Sequence, residues 1–215
     1  MNRRNFVKTL AVSSAAASFS PGELLKAEDN RYSFNCFTKL LQWLDYNETA
    51  EVLKRAGYDG ADLTVRPSGH VLPERVEEDL PRAVEAFENA GLNVPMMVTN
   101  IVRPDQPFAE QTLRTAKALG VEVYRLGYLN YDENLGIEKS IESLRPQLKE
   151  LAGLNRQIGI TGAYQNHAGT GIGATIWDLF LLLKGISPEL IGIQYDIKHA
   201  TAEGGHSWLV GLKLV

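Results

Sequence analysis

Short apolar, β-branched runs alternate with amphipathic helical patterns along most of this chain, and the alternation repeats about every 30 residues. The runs stand at 32–37 (YSFNCF), 60–65 (GADLTV), 93–99 (NVPMMVT), 121–127 (VEVYRLG), 158–164 (IGITGAY) and 190–196 (LIGIQYD). Between them lie ETAEVLKRAG, PERVEEDLPRAVEAFENAG, FAEQTLRTAKALG, IEKSIESLRPQLKELAGLNRQ and ATIWDLFLLLKG. In the second of these, Val76, Leu80, Val84 and Phe87 recur at three- and four-residue steps, the spacing of one buried helix face. Gly57, Gly91 and Gly120 stand just before the next run, where a left-handed C-cap is cheapest for glycine. Pro146 interrupts the fourth helical pattern and predicts a kink or a break.

A repeat of that size is one βα unit. It predicts an α/β fold with a parallel sheet and right-handed crossovers, either open and doubly wound or closed as a (β/α)8 TIM barrel. About six βα units are present, so six strands of an eight-stranded barrel are expected here. The chain is therefore read as a fragment, a truncated reading frame, or a homo-oligomer in which a partner completes the wall; a whole six-stranded open sheet is the alternative.

In either fold, ligand chemistry gathers at the carboxyl ends of the strands. Those ends carry Thr38, Arg66 with His70, Thr99 with Asn100, Arg125, then Gln165, Asn166 and His167, and finally Asp196 with His199. Amides, imidazoles and guanidinium groups converging on one mouth suit a hydroxyl-rich or anionic small molecule. Each residue also has a plainer reading. Asp196 and His199 could cap a loop, His70 could organise the turn RPSGH, and Arg66 could make an internal salt bridge. For Arg125, pairing inside the sheet is favoured. Glu203, in the stretch HATAEGGHSW, is by default a solvated loop carboxylate and, in the sharper reading, a catalytic base. Trp177 and Trp208 sit among apolar neighbours and are read as core. The segment GTGIG at 169–173 imitates a dinucleotide fingerprint, but it is GxGxG, and QNHA separates it from its strand.

Composition excludes several functions. The 215 residues carry 22 basic and 26 acidic side chains. Residues 1–27, with adjacent Arg3 and Arg4 before an Ala/Ser stretch, resemble a twin-arginine export signal. Their removal takes four basic groups and one acidic group and leaves a net charge of −7 on residues 28–215, the partial-barrel domain. Such a surface argues against a nucleic-acid partner, which needs clustered Lys and Arg. No segment reaches the roughly 18 consecutive apolar residues of a membrane span. Export to the periplasm is expected, with a cytoplasmic location the alternative. Cys36, the sole cysteine, is read as a core thiol.

AGYDGADLTVRPSGHVLPE, YQNHAG and IGIQYDIKHATAEGG together resemble the xylose isomerase-like barrel superfamily, which includes sugar and sugar-phosphate isomerases and epimerases. The resemblance covers residues 32–210 and implies a barrel that transfers a proton next to a ketose carbonyl with the help of a divalent metal (Mn, Mg, Co or Zn). It implies Asp196 as a metal ligand, with Gln165 a weak ligand where the family has glutamate. His199 matches the family's substrate-contacting histidine; His167, Asn166, Arg66 and His70, from their places at strand ends, are the further candidate contacts to a small-molecule sugar, and Glu203 is the candidate replacement base. Gln165 offers only a neutral carbonyl oxygen and cannot act as a base. That departure keeps open a non-catalytic sugar-binding or structural protein. An endonuclease IV-like activity would need more histidines and carboxylates than this chain has.

Overall fold

The computed structural model describes residues 32–215; the segment read as an export signal, residues 1–27, lies outside the described residues. The alternation read from the sequence is realised unit by unit. The order is β1 (Asn35–Phe37), α1 (Tyr46–Ala56), β2 (Gly60–Thr64), α2 (Val76–Asn89), β3 (Asn93–Val98), α3 (Ala109–Ala118) and β4 (Val123–Arg125). There follow α4 (Ile137–Ile158), β5 (Thr161–Gln165), α5 (Ile176–Leu183), β6 (Ile191–Gln194), α6 (Ile197–Gly204) and α7 (Trp208–Leu214). The strands form one sheet in the order β1 to β6, and every neighbouring pair is parallel. Among the described residues β1 and β6 do not pair, so this is six strands of a barrel wall, open between its first and last strands.

Local chemistry sets the boundaries. Asp45 caps α1 by accepting from the Glu48 backbone N–H at 2.8 Å, and the Glu48 side chain accepts from the Asp45 N–H at 3.1 Å; this reciprocal pair satisfies two orphan donors. Gly57 ends the helix with φ +83° and returns its N–H to the last turn, as the glycine spacing predicts. The helix α4 differs from expectation: it runs unbroken through Pro146. Pro146 and Glu142 both lie on the exposed face, so the carbonyl that loses its partner faces water and the ring meets no neighbouring element.

Register divides each strand into two faces. Asp62, Met96, Val123 and Thr161 stand side by side, and Thr64, Val98, Arg125, Ala163 and Gly192 form the next level. The alternate residues Leu63, Met97, Tyr124, Tyr164 and Ile191 are buried and, with Leu53, Leu80, Phe87, Leu113, Leu148 and Leu151 of the helices, make one core. Each such side chain contributes about 1.5–3 kcal/mol by leaving water. A polar clamp crosses this core. Tyr124 Oη donates to Asn155 Oδ1 at 3.0 Å, and Asn155 Nδ2 donates to the Leu190 carbonyl at 2.9 Å, tying α4 to β4 and to the start of β6. Gly162 makes room for the clamp, since a Cβ there would lie 2.8 Å from Leu126 and 3.1 Å from Asn155 Nδ2.

Three expectations need correction. Trp177 is 56% exposed and Trp208 only partly buried, because their helices keep one side in solvent. Cys36 packs against the core but is only partly buried, and its neighbours Phe34 and Asn35 are exposed; an edge strand has one neighbour to cover it. Glu203 lies on the helix α6 and not in a loop.

Candidate active site at the carboxyl ends of the strands

β5 ends on Gln165, and its side chain is held from three sides. Gln165 Oε1 accepts from Arg125 Nη1 at 2.7 Å and from Tyr128 Oη at 2.6 Å, while Gln165 Nε2 donates to Asp196 Oδ2 at 2.8 Å. The reversed amide would point Nε2 at a guanidinium, so the charges on either side dictate its orientation. Asp196 Oδ1 accepts from the His199 backbone N–H at 3.0 Å, which makes Asp196 the N-cap of α6. Asn166 is buried and spends its amide on backbone: Nδ2 donates to the Asp196 carbonyl at 3.0 Å and Oδ1 accepts from the Asp196 N–H at 2.6 Å. It copies a strand partner and extends the β5–β6 pairing by one step.

The loops above these strands are fixed as well. Tyr164 Oη accepts from the Leu129 N–H at 2.8 Å and donates to the Ile172 carbonyl at 3.1 Å, joining the loops after β4 and β5. His167, on the second loop, stacks against His199 with ring centroids 3.9 Å apart and planes tilted by 34°. Tyr128 meets His167 edge to face at 5.3 Å. His199 Nε2 has no hydrogen-bond acceptor among the described residues; its nearest acid is Asp196 Oδ2 at 4.0 Å. Burial first, and then neighbouring His167, hold the His199 imidazole below the ordinary histidine range against the pull of Asp196, so the ring is neutral at pH 7.

Arg125 reaches the centre of the group from β4. Its guanidinium lies over the rings of Phe37 at 5.3 Å and Tyr128 at 5.4 Å, and Arg66 lies over the other reach of Phe37 at 5.9 Å. Neither arginine has a carboxylate within salt-bridge distance among the described residues; the expected pairing inside the sheet is not made.

Gln165, Asn166, His167, Asp196 and His199 are thus one cluster, as their places at strand ends imply. His70 and Glu203 are not within it. His70 holds its own turn: Nδ1 pairs with Thr64 Oγ1 at 3.0 Å and Nε2 with Thr49 Oγ1 at 3.4 Å, and burial lowers its pKa. Glu203 lies about one turn beyond His199 on α6 and borders a cavity of about 170 Å³ with Asn166, Trp177, Tyr195 and Trp208. Phe37, Asp62, Tyr128 and Gln194 complete the polar interior and were not singled out from the sequence. For Asp62 and Gln194 the signal was a polar residue within an apolar run; Phe37 and Tyr128 carried none.

Asp62 sits one level below Arg125 on the inner face, and its Oδ1 is buried without a partner. Burial pushes its carboxyl up to about 6, with Arg125 opposing. The folded protein therefore binds this proton more tightly than the unfolded chain does. Its contribution is full below about pH 4 and is lost as the pH rises through about 6, a swing of about 2–3 kcal/mol. Urea unfolding of the protein and of Asp62→Asn is expected to show the wild type losing that much relative to the variant between pH 4 and pH 7; parallel curves would contradict it.

Residues 50–210 match the sequence model of a family described as the xylose isomerase-like TIM barrel. No curated protein sequence matches the chain. Among solved structures, a proposed xylose isomerase from Rhodospirillum rubrum is similar with a TM-score of 0.67 at 14% identity, over 86% of this chain and 73% of that one. A 3-keto-D-glucoside 4-epimerase from E. coli follows at 0.64 and 10%, over 86% and 77%. A D-tagatose 3-epimerase-like protein gives 0.61 and 16%, over 85% and 72%. At these identities the likeness is one of fold.

Proposed function

Because the chain belongs to the xylose isomerase-like TIM barrel family, we propose that it binds a carbonyl sugar at the carboxyl ends of β4 to β6 and moves a proton next to the carbonyl, as an isomerase or epimerase does. The observation that carries this reading is the imidazole of His199, stacked on His167 beside the Gln165–Asp196 pair with no acceptor at Nε2 among the described residues. Two of the proteins similar in fold are named for epimerisation of sugars, which supports the same reaction class.

A divalent metal does not fit the described residues. The two side chains read as its ligands, Gln165 and Asp196, are hydrogen-bonded to each other, and the oxygen of Gln165 already accepts from a cationic guanidinium. No three His, Cys, Asp or Glu side chains converge among the described residues. Hard cations ask for several oxygen ligands, most of them anionic. The steps below therefore use side chains alone.

In this reading His199 Nε2 takes the proton from carbon. It is a better base than Asp196, whose two oxygens already accept from Gln165 and from the His199 backbone. Asp196, 4.0 Å away, offsets the charge that appears on the ring. His167 and Tyr128 wall one side and keep His199 in one rotamer, and Asn166 fixes the backbone from which Asp196 projects. Glu203 borders a cavity that Asn166 also lines, and the step is written without it. The test is incubation of the full-length protein in D2O with a panel of ketoses, aldoses and their oxidised derivatives. Proton NMR is expected to show deuterium entering at the carbon next to the carbonyl of at least one; no exchange with any of them would sink the proposal.

A further inference from the structure

We infer that Arg125 supplies the positive charge of this site, its guanidinium taking the sugar oxygen on which negative charge develops, in place of a metal ion. The inference rests on the proposed proton transfer. It is built on three independent observations around one side chain.

Arg125 is only 7% exposed and yet underused. A guanidinium has five N–H donors; among the described residues Nη1 alone has an acceptor, Gln165 Oε1, and Nε is buried with none. A buried, charged donor without a partner is costly unless a ligand completes it. Second, among the described residues no carboxylate lies within salt-bridge distance of it; the charges of Asp62 and Asp196 reach it only from further off. Third, its surroundings fix its position rather than its charge. The rings of Phe37 and Tyr128 hold the guanidinium plane, Gln165 orients one edge, and Gln165 is oriented in turn by Asp196. A fixed, desolvated donor on one side of the Gln165–Asp196 pair, with the imidazole of His199 on the other, is the arrangement electrostatic catalysis requires.

The chemistry closes without a further reactant. The C–H bond next to the carbonyl breaks, its proton passes to His199 Nε2, and its electron pair forms the carbon–carbon double bond. The π pair of the carbonyl moves to oxygen, and the resulting oxyanion lies against Arg125. Return of the proton to the opposite face of the same carbon gives the epimer; return to the neighbouring carbon gives the isomer.

Two variants and one titration decide it. Arg125→Met, matched in length and apolar enough for a buried position, is expected to lower the turnover number for deuterium exchange about 10²–10³-fold, the loss typical of one oxyanion donor. Its far-UV circular dichroism should be unchanged, and Arg125→Lys should recover part of the rate. Gln165→Glu, which removes no packed volume, places a carboxylate against the guanidinium and beside Asp196, and its far-UV circular dichroism should match the wild type. It is expected to pair with Arg125, slow exchange at least about tenfold, and gain no metal. Calorimetric titration of the chelator-treated, full-length protein with Mn²⁺, Co²⁺ and Zn²⁺ is expected to show no stoichiometric uptake, with exchange insensitive to EDTA. One equivalent of cation bound, exchange lost in EDTA and restored by that cation, a gain of cation binding in Gln165→Glu, or full exchange in Arg125→Met would each overturn the inference. Absence of exchange with every sugar would end the proposed function by itself, and the titration would still decide where the positive charge of the mouth resides.

Discussion

His199→Gln is expected to slow deuterium exchange about 10²–10⁴-fold, the range general acid–base groups supply. Glutamine fills much of the same space, and the Asp196 cap on the His199 backbone N–H is independent of the side chain, so the loss would report chemistry and not folding. The pH profile separates the two further. Exchange requires the unprotonated ring, so the wild-type rate should rise with pH through a midpoint below the ordinary histidine value and be flat by neutrality. That limb should vanish in His199→Gln. A variant that keeps both the rate and the limb would remove His199 from the reaction and leave Asp196 as the base to examine.

Asn155→Ala is the second large effect, on stability. Truncation strands Tyr124 Oη in the core, while the Leu190 carbonyl keeps the Gly162 N–H at 2.9 Å. Unpaired buried polar groups cost about 1–3 kcal/mol each, and removal of the side chain opens space beside Gly162. A total of about 2–4 kcal/mol is expected from chemical denaturation. Tyr124→Phe in the same background should cost much less than it does in the wild type, because the hydroxyl it removes has already lost its acceptor. Additive losses would show that the clamp does not act as a unit.

The βα repeat could be read in the sequence because amphipathic helices write their buried face at steps of three and four, as Val76, Leu80, Val84 and Phe87 do. Parallel strands, covered on both faces, write no such alternation. That is why strand limits shifted by a few residues and why the run read from 158 begins as the end of α4. Gln165, Asp196 and His199 stood out as polar residues that close apolar runs, and the structure gathers them. Phe37 and Asp62 could not be found the same way: one looks like core, the other like a lapse within a strand, and only the register shows both facing inward. Glu203 misled for a different reason. Counting residues from Asp196 places it close in sequence, but the helix α6 carries it away along its axis at about 1.5 Å per residue.

The strand order β1 to β6 has a consequence for how the chain reaches this state. Every strand pairs only with its neighbours in sequence, so no sheet contact demands closure of a loop longer than one βα unit. Closure entropy grows only slowly with loop length, and the cost of each addition is nearly the same. The wall can therefore zip up unit by unit behind the emerging chain during synthesis, N-terminal strands first. The cluster at β4 to β6 is then assembled after β1 to β3, on a sheet already begun.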